Sequence, residues 1–104
     1  MFKKSLAITI AIIASQIMTP SASATGLMTC DGNEKSQWKT MDQLKTQMKD
    51  DGWTVRRIKE DGGCYEAYGT TPEGKRVEAY FHPVTLELLL VAQRGQILFR
   101  KQDQ

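Results

Sequence analysis

Apolar residues follow two different periods along this chain, and the change between them separates a helix from strands. Met41, Leu44 and Met48 recur at helical spacing, with lysine and aspartate at positions outside that stripe. Farther along, apolar and polar residues alternate in short segments bounded by glycine and proline, which is typical of strands. The pattern therefore predicts one helix followed by an antiparallel sheet.

The limits of the helix are marked by capping residues. Thr40 precedes the apolar stripe and Gln43 follows three residues later, which is the spacing of a capping box. Gly52 suits the left-handed residue that ends a helix. We expect a helix over residues 41–51. A helix this short is not stable alone, so it must pack against another element.

Three segments are predicted to be strands of a meander: residues 53–59, 64–69 and 76–81. Turn-forming sequences separate them, namely Asp61-Gly62-Gly63 and Thr71-Pro72-Glu73-Gly74. The first strand departs from strict alternation, because Val55 and Ile58 are three residues apart and both are apolar. A bulge near Arg56 and Arg57 would place both apolar side chains on the core face.

The end of the chain admits two interpretations. A fourth strand with a short returning fifth fits the turn at Gly95, and a terminal helix over residues 86–93 fits the same apolar run. We favour strands. The expected fold class is α+β, with one N-terminal helix packed on a three- to four-stranded antiparallel meander sheet.

The first 24 residues have the features of a secretory signal peptide. Lys3 and Lys4 precede a short apolar run, and Ala22-Ser23-Ala24 forms a cleavage site of small residues. The alternative, a membrane anchor, is disfavoured because polar residues and Pro20 interrupt the segment before about 20 apolar residues accumulate. We therefore expect a periplasmic or secreted protein with no membrane span after cleavage.

Charge excludes some classes of partner. The chain has 14 basic and 12 acidic residues, and two of the basic residues lie in the leader. The mature chain is therefore close to neutral. Nucleic-acid binding and polybasic membrane attachment both need an excess of Lys and Arg, so neither is expected.

The two cysteines are predicted to form one disulfide, because exported thiols tend to pair and Cys30 and Cys64 allow only one intramolecular bridge. Closing a loop of about 35 residues would stabilise the chain by on the order of 4 kcal/mol. The bridge would also tie down the irregular segment 25–39. Lipidation of Cys30 is disfavoured by Thr29 before it. Because the spacing is not Cys-x-x-Cys and His82 is the sole histidine, we expect no redox pair, metal or cofactor.

Three stretches together resemble a PepSY domain: residues 51–58, residues 63–68 with Gly-Cys-Tyr-Glu-Ala-Tyr, and residues 74–85, which end in Phe-His-Pro-Val-Thr. The resemblance covers roughly residues 40–90, and we expect a PepSY-like domain over 40–104. The sequence departs from the family pattern at the last turn, with His82 at the usual Asp and Leu86 at the usual Gly.

The resemblance implies an extracytoplasmic, non-catalytic module. Such domains occur in propeptides of secreted thermolysin-like metallopeptidases, which they are thought to restrain, and also as free-standing envelope proteins. The expected function is binding or regulation of an envelope protein, for which a peptidase is one candidate. The alternative is an accessory domain for envelope redox proteins or for cofactor binding.

No catalytic residues are predicted. Glu66 and Glu78 would both lie on the open sheet face, but pairing with Arg56, Lys75 or Arg76 on a solvated face explains them without acid–base chemistry.

The candidate partner-binding surface is this face and its rim: Trp53, Arg56, Tyr68, Tyr80 and His82. Tyrosine and arginine concentrate binding energy at interfaces. The alternative is that the Cys30 segment covers Tyr68 and Tyr80, because Cys64 points to the same face. An exposed strand edge offers a second route to a partner.

Overall fold

A computed structural model describes residues 26–102 and contains one helix on a five-stranded antiparallel sheet. The predicted signal peptide lies outside the described residues. A short 3-10 turn, Lys35–Gln37, precedes the helix. The helix and strands, in chain order, are α1 (Met41–Asp50), β1 (Thr54–Asp61), β2 (Cys64–Thr70), β3 (Arg76–Phe81), β4 (Leu88–Gln93) and β5 (Gln96–Arg100). The strands lie in the sheet in their chain order. No helix within residues 26–102 is long and apolar enough to span a membrane.

The α+β class and the meander are confirmed, but the expected number of strands, three to four, is wrong. Residues 88–93 form β4 and a tight turn returns the chain as β5, so the alternative of a terminal helix is also wrong. The turn consists of Arg94 and Gly95, which both have positive φ, as a two-residue hairpin requires. Arginine is an unusual residue for this conformation, which costs a non-glycine residue about 1 kcal/mol.

The helix begins as its capping residues indicate. The Thr40 side chain accepts a hydrogen bond from the Gln43 backbone N–H, and the Gln43 side chain accepts one from the Thr40 N–H. Gly52 has φ of 94°, and the Trp53 N–H donates to the Met48 carbonyl at 2.9 Å to close the helix end. The helix ends at Asp50, one residue before the predicted end.

The main core lies between α1 and one face of the sheet, which we call the helix face. Leu44 and Met48 are fully buried there. The sheet contributes alternate residues: Tyr65, Ala67, Val77, Ala79, Phe81 and Val91. The two alanines leave room for the helix to approach the strands. The bulge expected in β1 is confirmed, because the pairing register shifts between Val55 and Arg57, which lets Val55 and Ile58 both pack against this core.

The turn after β3 contains the two residues that depart from the family pattern, His82 and Leu86. The Nδ1 atom of His82 accepts hydrogen bonds from the backbone N–H groups of Val84 (3.1 Å) and Thr85 (3.3 Å), as an aspartate side chain would in an Asx turn. Leu86 adopts φ of 61°, a conformation that favours glycine, and its side chain is buried in the core. Burial of this apolar side chain offsets the backbone strain.

We expect His82→Ala to lower the free energy of unfolding by about 1 kcal/mol, because two turn N–H groups lose their acceptor. His82→Asp should stay near the wild-type value, because a carboxylate can accept both bonds. Urea denaturation of the three proteins at neutral pH measures the difference. Equal destabilisation by both substitutions would contradict the proposed role of the imidazole as an acceptor.

Candidate functional site

The second face of the sheet, opposite α1, is divided into a covered part and an open part. Residues 26–30, which we call the N-terminal strap, lie over the covered part. Leu27 and Met28 of the strap pack against a second buried cluster: Cys30, Cys64, Tyr80, Leu90 and Ala92. The predicted disulfide is confirmed, with an S–S distance of 2.01 Å between Cys30 and Cys64. The strap is therefore linked covalently to β2.

The strap reaches the sheet closely because of the glycine pair in the first hairpin. A Cβ atom at Gly63 would lie 2.3 Å from the Cys30 carbonyl oxygen, and one at Gly62 would lie 2.6 Å from that of Met28. The Cys30 N–H also donates to the Gly62 carbonyl at 2.7 Å. These two glycines thus serve the tight turn and the close approach of a second backbone at once.

Asp61 anchors the start of the strap. Its Oδ2 atom accepts hydrogen bonds from the Gly26 N–H and from the Tyr80 hydroxyl, both at 2.7 Å. The same hydroxyl accepts one from the Leu27 N–H at 3.3 Å. Burial, reinforced by the bond to Asp61, raises the pKa of Tyr80, so this hydroxyl stays protonated and continues to donate to Asp61.

Glu66 lies on the same face and is fully buried. Among the residues that the structure describes, neither of its carboxylate oxygens has a hydrogen-bond partner, and the Lys59 ammonium is 3.6 Å from Oε1. Burial raises the pKa of Glu66, while the positive charge of Lys59 opposes part of that effect. The expectation that Glu66 lies on a solvated face and pairs with Arg56, Lys75 or Arg76 is therefore wrong. Its ion-pair partner is Lys59, the residue that faces it on β1.

The open part of the second face forms a groove of about 270 Å³ at the end of the sheet distant from the disulfide. We call it the cationic groove. It is lined by Arg56, Tyr68, Arg76, Val77, Glu78, Gln93 and Arg94. The three arginines come from β1, from β3 and from the turn between β4 and β5, so the meander brings together residues up to 38 positions apart.

Tyr68 links the cationic groove to the ion pair beside it. The Arg57 guanidinium lies 5.9 Å from the centre of the Tyr68 ring, and the Lys59 ammonium lies 5.6 Å from it. Glu78 stands opposite Tyr68 on β3, and Glu66 stands opposite Tyr80. The two glutamates are therefore diagonal to each other, and Tyr68 and Tyr80 occupy the positions directly across from them.

The structure brings together two of the five residues predicted for the partner-binding surface. Arg56 and Tyr68 line the cationic groove. Tyr80 is fully buried under the strap, so the alternative of coverage by the Cys30 segment holds for this residue. Trp53 is half-buried against Phe81 in the main core, with a centroid distance of 6.3 Å, and His82 is half-buried in its turn.

Sequence reasoning missed Arg94 and gave Arg76 and Glu78 other roles. Strand alternation places Arg76 and Glu78 on the face of Tyr68, so this signal was available. Arg94 belongs to a turn, and its position beside the groove depends on where β4 ends. Within residues 26–102 no group of three or more His, Cys, Asp or Glu side chains is arranged to hold a metal ion.

A second exposed feature is the outer edge strand β5. Ile97, Leu98 and Phe99 have exposed fractions of 41%, 42% and 45%. The register shift between β4 and β5 leaves Leu98 without a partner residue in the pairing. Such a bulge disturbs the regular row of backbone groups that an added strand would need. The cationic groove is therefore the better-defined site.

We expect Glu66→Gln to raise the free energy of unfolding by about 1 kcal/mol at pH 7, because a neutral amide is less costly to bury than an unsatisfied carboxylate. The pKa of Glu66 lies above its ordinary value of 4.5 in the folded state, so the folded protein binds the proton more tightly than the unfolded chain. The wild type should therefore gain stability relative to the variant as pH falls from 7 towards 4.5.

Urea denaturation at several pH values measures this difference, with Glu73→Gln in an exposed turn as the matched control. The control should follow the wild type throughout. A Glu66→Gln protein less stable than the wild type at pH 7 would mean that the ion pair with Lys59 is net stabilising.

Comparison with known proteins places the chain in a family. The model of the PepSY_2 family, described as peptidase propeptide and YPEB domain, matches residues 8–91. No curated protein and no solved structure matches the chain. The matched range covers most of the sequence and includes the helix, β1 to β3 and the His82 turn. The chain therefore belongs to the PepSY_2 family of peptidase propeptide and YPEB domains.

Proposed function

We propose that this protein is a non-catalytic module that binds and regulates a protein of the cell envelope, with a secreted peptidase as the first candidate. Membership of the PepSY_2 family supports a regulatory or propeptide-like role. The observation that carries the proposal is the cationic groove, which presents three arginines and a tyrosine on the one part of the second sheet face that the strap leaves open. Arginine and tyrosine are the residue types that dominate binding energy at protein interfaces.

The arrangement of the groove suits binding to a rigid partner surface. Tyr68, Arg76 and Glu78 stand on paired strands of the sheet, so the backbone of this part of the groove is held in place before a partner arrives. The disulfide and the strap stabilise the neighbouring part of the same face. A preorganised surface loses less conformational entropy on binding than a loop does. Export to the envelope is supported by the leader in the sequence and by the disulfide.

The test is a titration of the purified exported protein into a thermolysin-like metallopeptidase secreted by the same organism. We expect saturable inhibition, with the module itself left uncleaved. Tyr68→Ala should weaken the inhibition about tenfold, because it removes the aromatic surface of the groove. Arg56→Ala is a second variant whose exposed side chain can be removed without opening the core.

The matched control is Thr46→Ala, an exposed position on α1 and thus on the other side of the sheet. It should inhibit like the wild type. Thermal unfolding of each variant separates a lost contact from a lost fold. Peptidase activity that does not change at the highest soluble concentration of the module, or cleavage of the module as an ordinary substrate, would contradict peptidase restraint.

A further inference from the structure

We infer that the cationic groove takes an acidic, extended segment of a protein, whose carboxylates pair with Arg56, Arg76 and Arg94. The inference rests on the proposed function and states the chemistry of the partner. Its basis is charge: three guanidinium groups line one groove of about 270 Å³, and Glu78 is the only acidic residue among the lining residues.

These arginines have no anionic partner within the described part of the chain. The ion pairs among residues 26–102 join Lys35 to Glu60, Lys59 to Glu66 and Lys101 to Glu87. None of the three arginines lies within 4.0 Å of a carboxylate oxygen there. Three like charges that line one groove repel one another with only Glu78 to offset them, and an incoming carboxylate can pair with two N–H groups of one arginine at once.

The backbone at Arg94 is a second and independent observation. Its φ of 51° is one that asparagine or glycine adopts more readily in a two-residue hairpin turn. An arginine is nevertheless held at this position, beside the groove. Strained backbone of this kind is found preferentially at binding sites. The turn thus presents a positive charge at a cost in backbone energy.

The walls of the groove are tied together around these charges. The Gln93 side-chain amide donates a hydrogen bond to the Arg76 carbonyl at 3.0 Å, which links β3 to the end of β4 beside Arg94. Tyr68 supplies an aromatic surface beside Arg56. A carboxylate-bearing chain lying along the row of arginines would therefore meet charged groups and one apolar face together.

An acidic protein segment fits better than a membrane or a nucleic acid. Both of those partners need a broad basic surface, and the chain has only two more basic than acidic residues. Lys3 and Lys4 of the leader account for that excess, so the rest of the chain is close to neutral, and three of its arginines lie in one groove. Carboxylate side chains spaced along an extended segment match the three arginines, which stand on β1, on β3 and in the turn between β4 and β5.

The probe is a blocked, fluorescently labelled peptide of alternating glutamate and valine, with glutamine in place of glutamate in the matched control peptide. Fluorescence anisotropy with the full exported protein measures both affinities. We expect saturable binding of the glutamate peptide at low salt, at least about fivefold tighter than that of the glutamine peptide. Salt should weaken it, because exposed charges are screened.

Three variants locate the binding site. Arg94→Asn should weaken binding of the glutamate peptide about fivefold, because it removes one positive charge from the groove. The melting temperature should be equal or higher, because asparagine suits the turn. Glu78→Gln should tighten binding about twofold, because it removes the acidic residue beside the arginines. Lys49→Gln removes one positive charge, as Arg94→Asn does, but at an exposed position of α1. It should leave the affinity for the glutamate peptide unchanged.

Equal affinity for the two peptides, or unchanged binding in Arg94→Asn, would overturn the inference. So would binding to phosphatidylglycerol vesicles in place of the glutamate peptide. The two proposals fail in different ways. A peptidase that is inhibited by the wild type and by Arg94→Asn alike, with no peptide binding, removes the inference and keeps the proposed function. Peptide binding without inhibition of the peptidase keeps the inference and removes the proposed restraint of a peptidase.

Discussion

A sheet has two faces, and residues 26–102 contain a single ten-residue α-helix with which to cover them. The helix buries Leu44 and Met48 against the helix face, so the opposite face needs a different solution. The N-terminal strap covers part of that face, and the disulfide keeps the strap in place although residues 26–30 form no helix or strand. The part that the strap does not reach becomes the cationic groove. The division of one face into covered core and open groove therefore follows from a shortage of covering elements.

Burial on the second face has an energetic cost at Glu66. Strand alternation places this polar residue on the second face, where its side chain is fully buried. Within residues 26–102 the carboxylate has one ammonium at 3.6 Å and no hydrogen bond. Asp61 is in the opposite situation, because its carboxylate accepts hydrogen bonds from the Gly26 N–H of the strap and from the Tyr80 hydroxyl. Two carboxylates five residues apart thus act in opposite ways, because Asp61 anchors the strap and the charge of Glu66 opposes its own burial.

The features that could be predicted from the sequence depend on local chemistry. The capping box at Thr40, the bulge beside Arg56, the first hairpin and the Cys30–Cys64 bridge all follow from residues close in the chain or from a single possible pairing. The errors concern long-range burial. Glu66 and Tyr80 were placed on an open face because strand alternation does not indicate what lies above the face. The sequence leaves the fifth strand open because the apolar run after residue 86 also fits a helix. Three of the five residues predicted for the partner surface, Trp53, Tyr80 and His82, lie outside the groove, and Arg94 lines the groove through the turn between β4 and β5.

The disulfide also makes the two edges of the sheet differ in how firmly their strands are held. β2 is joined covalently to the strap, and β1 contacts α1 and ends in Asp61, which anchors the strap. At the far side β5 is exposed along its whole length and is held by β4 alone among the strands. Because every strand pairs only with its chain neighbours, β5 can detach without breaking any other pairing. Local opening should therefore begin at β5, and amide hydrogens should exchange fastest there and slowest in the disulfide-linked hairpin. Since Arg94 lies in the turn that β5 completes, fraying of this strand would loosen one wall of the groove while the rest of the domain stays folded.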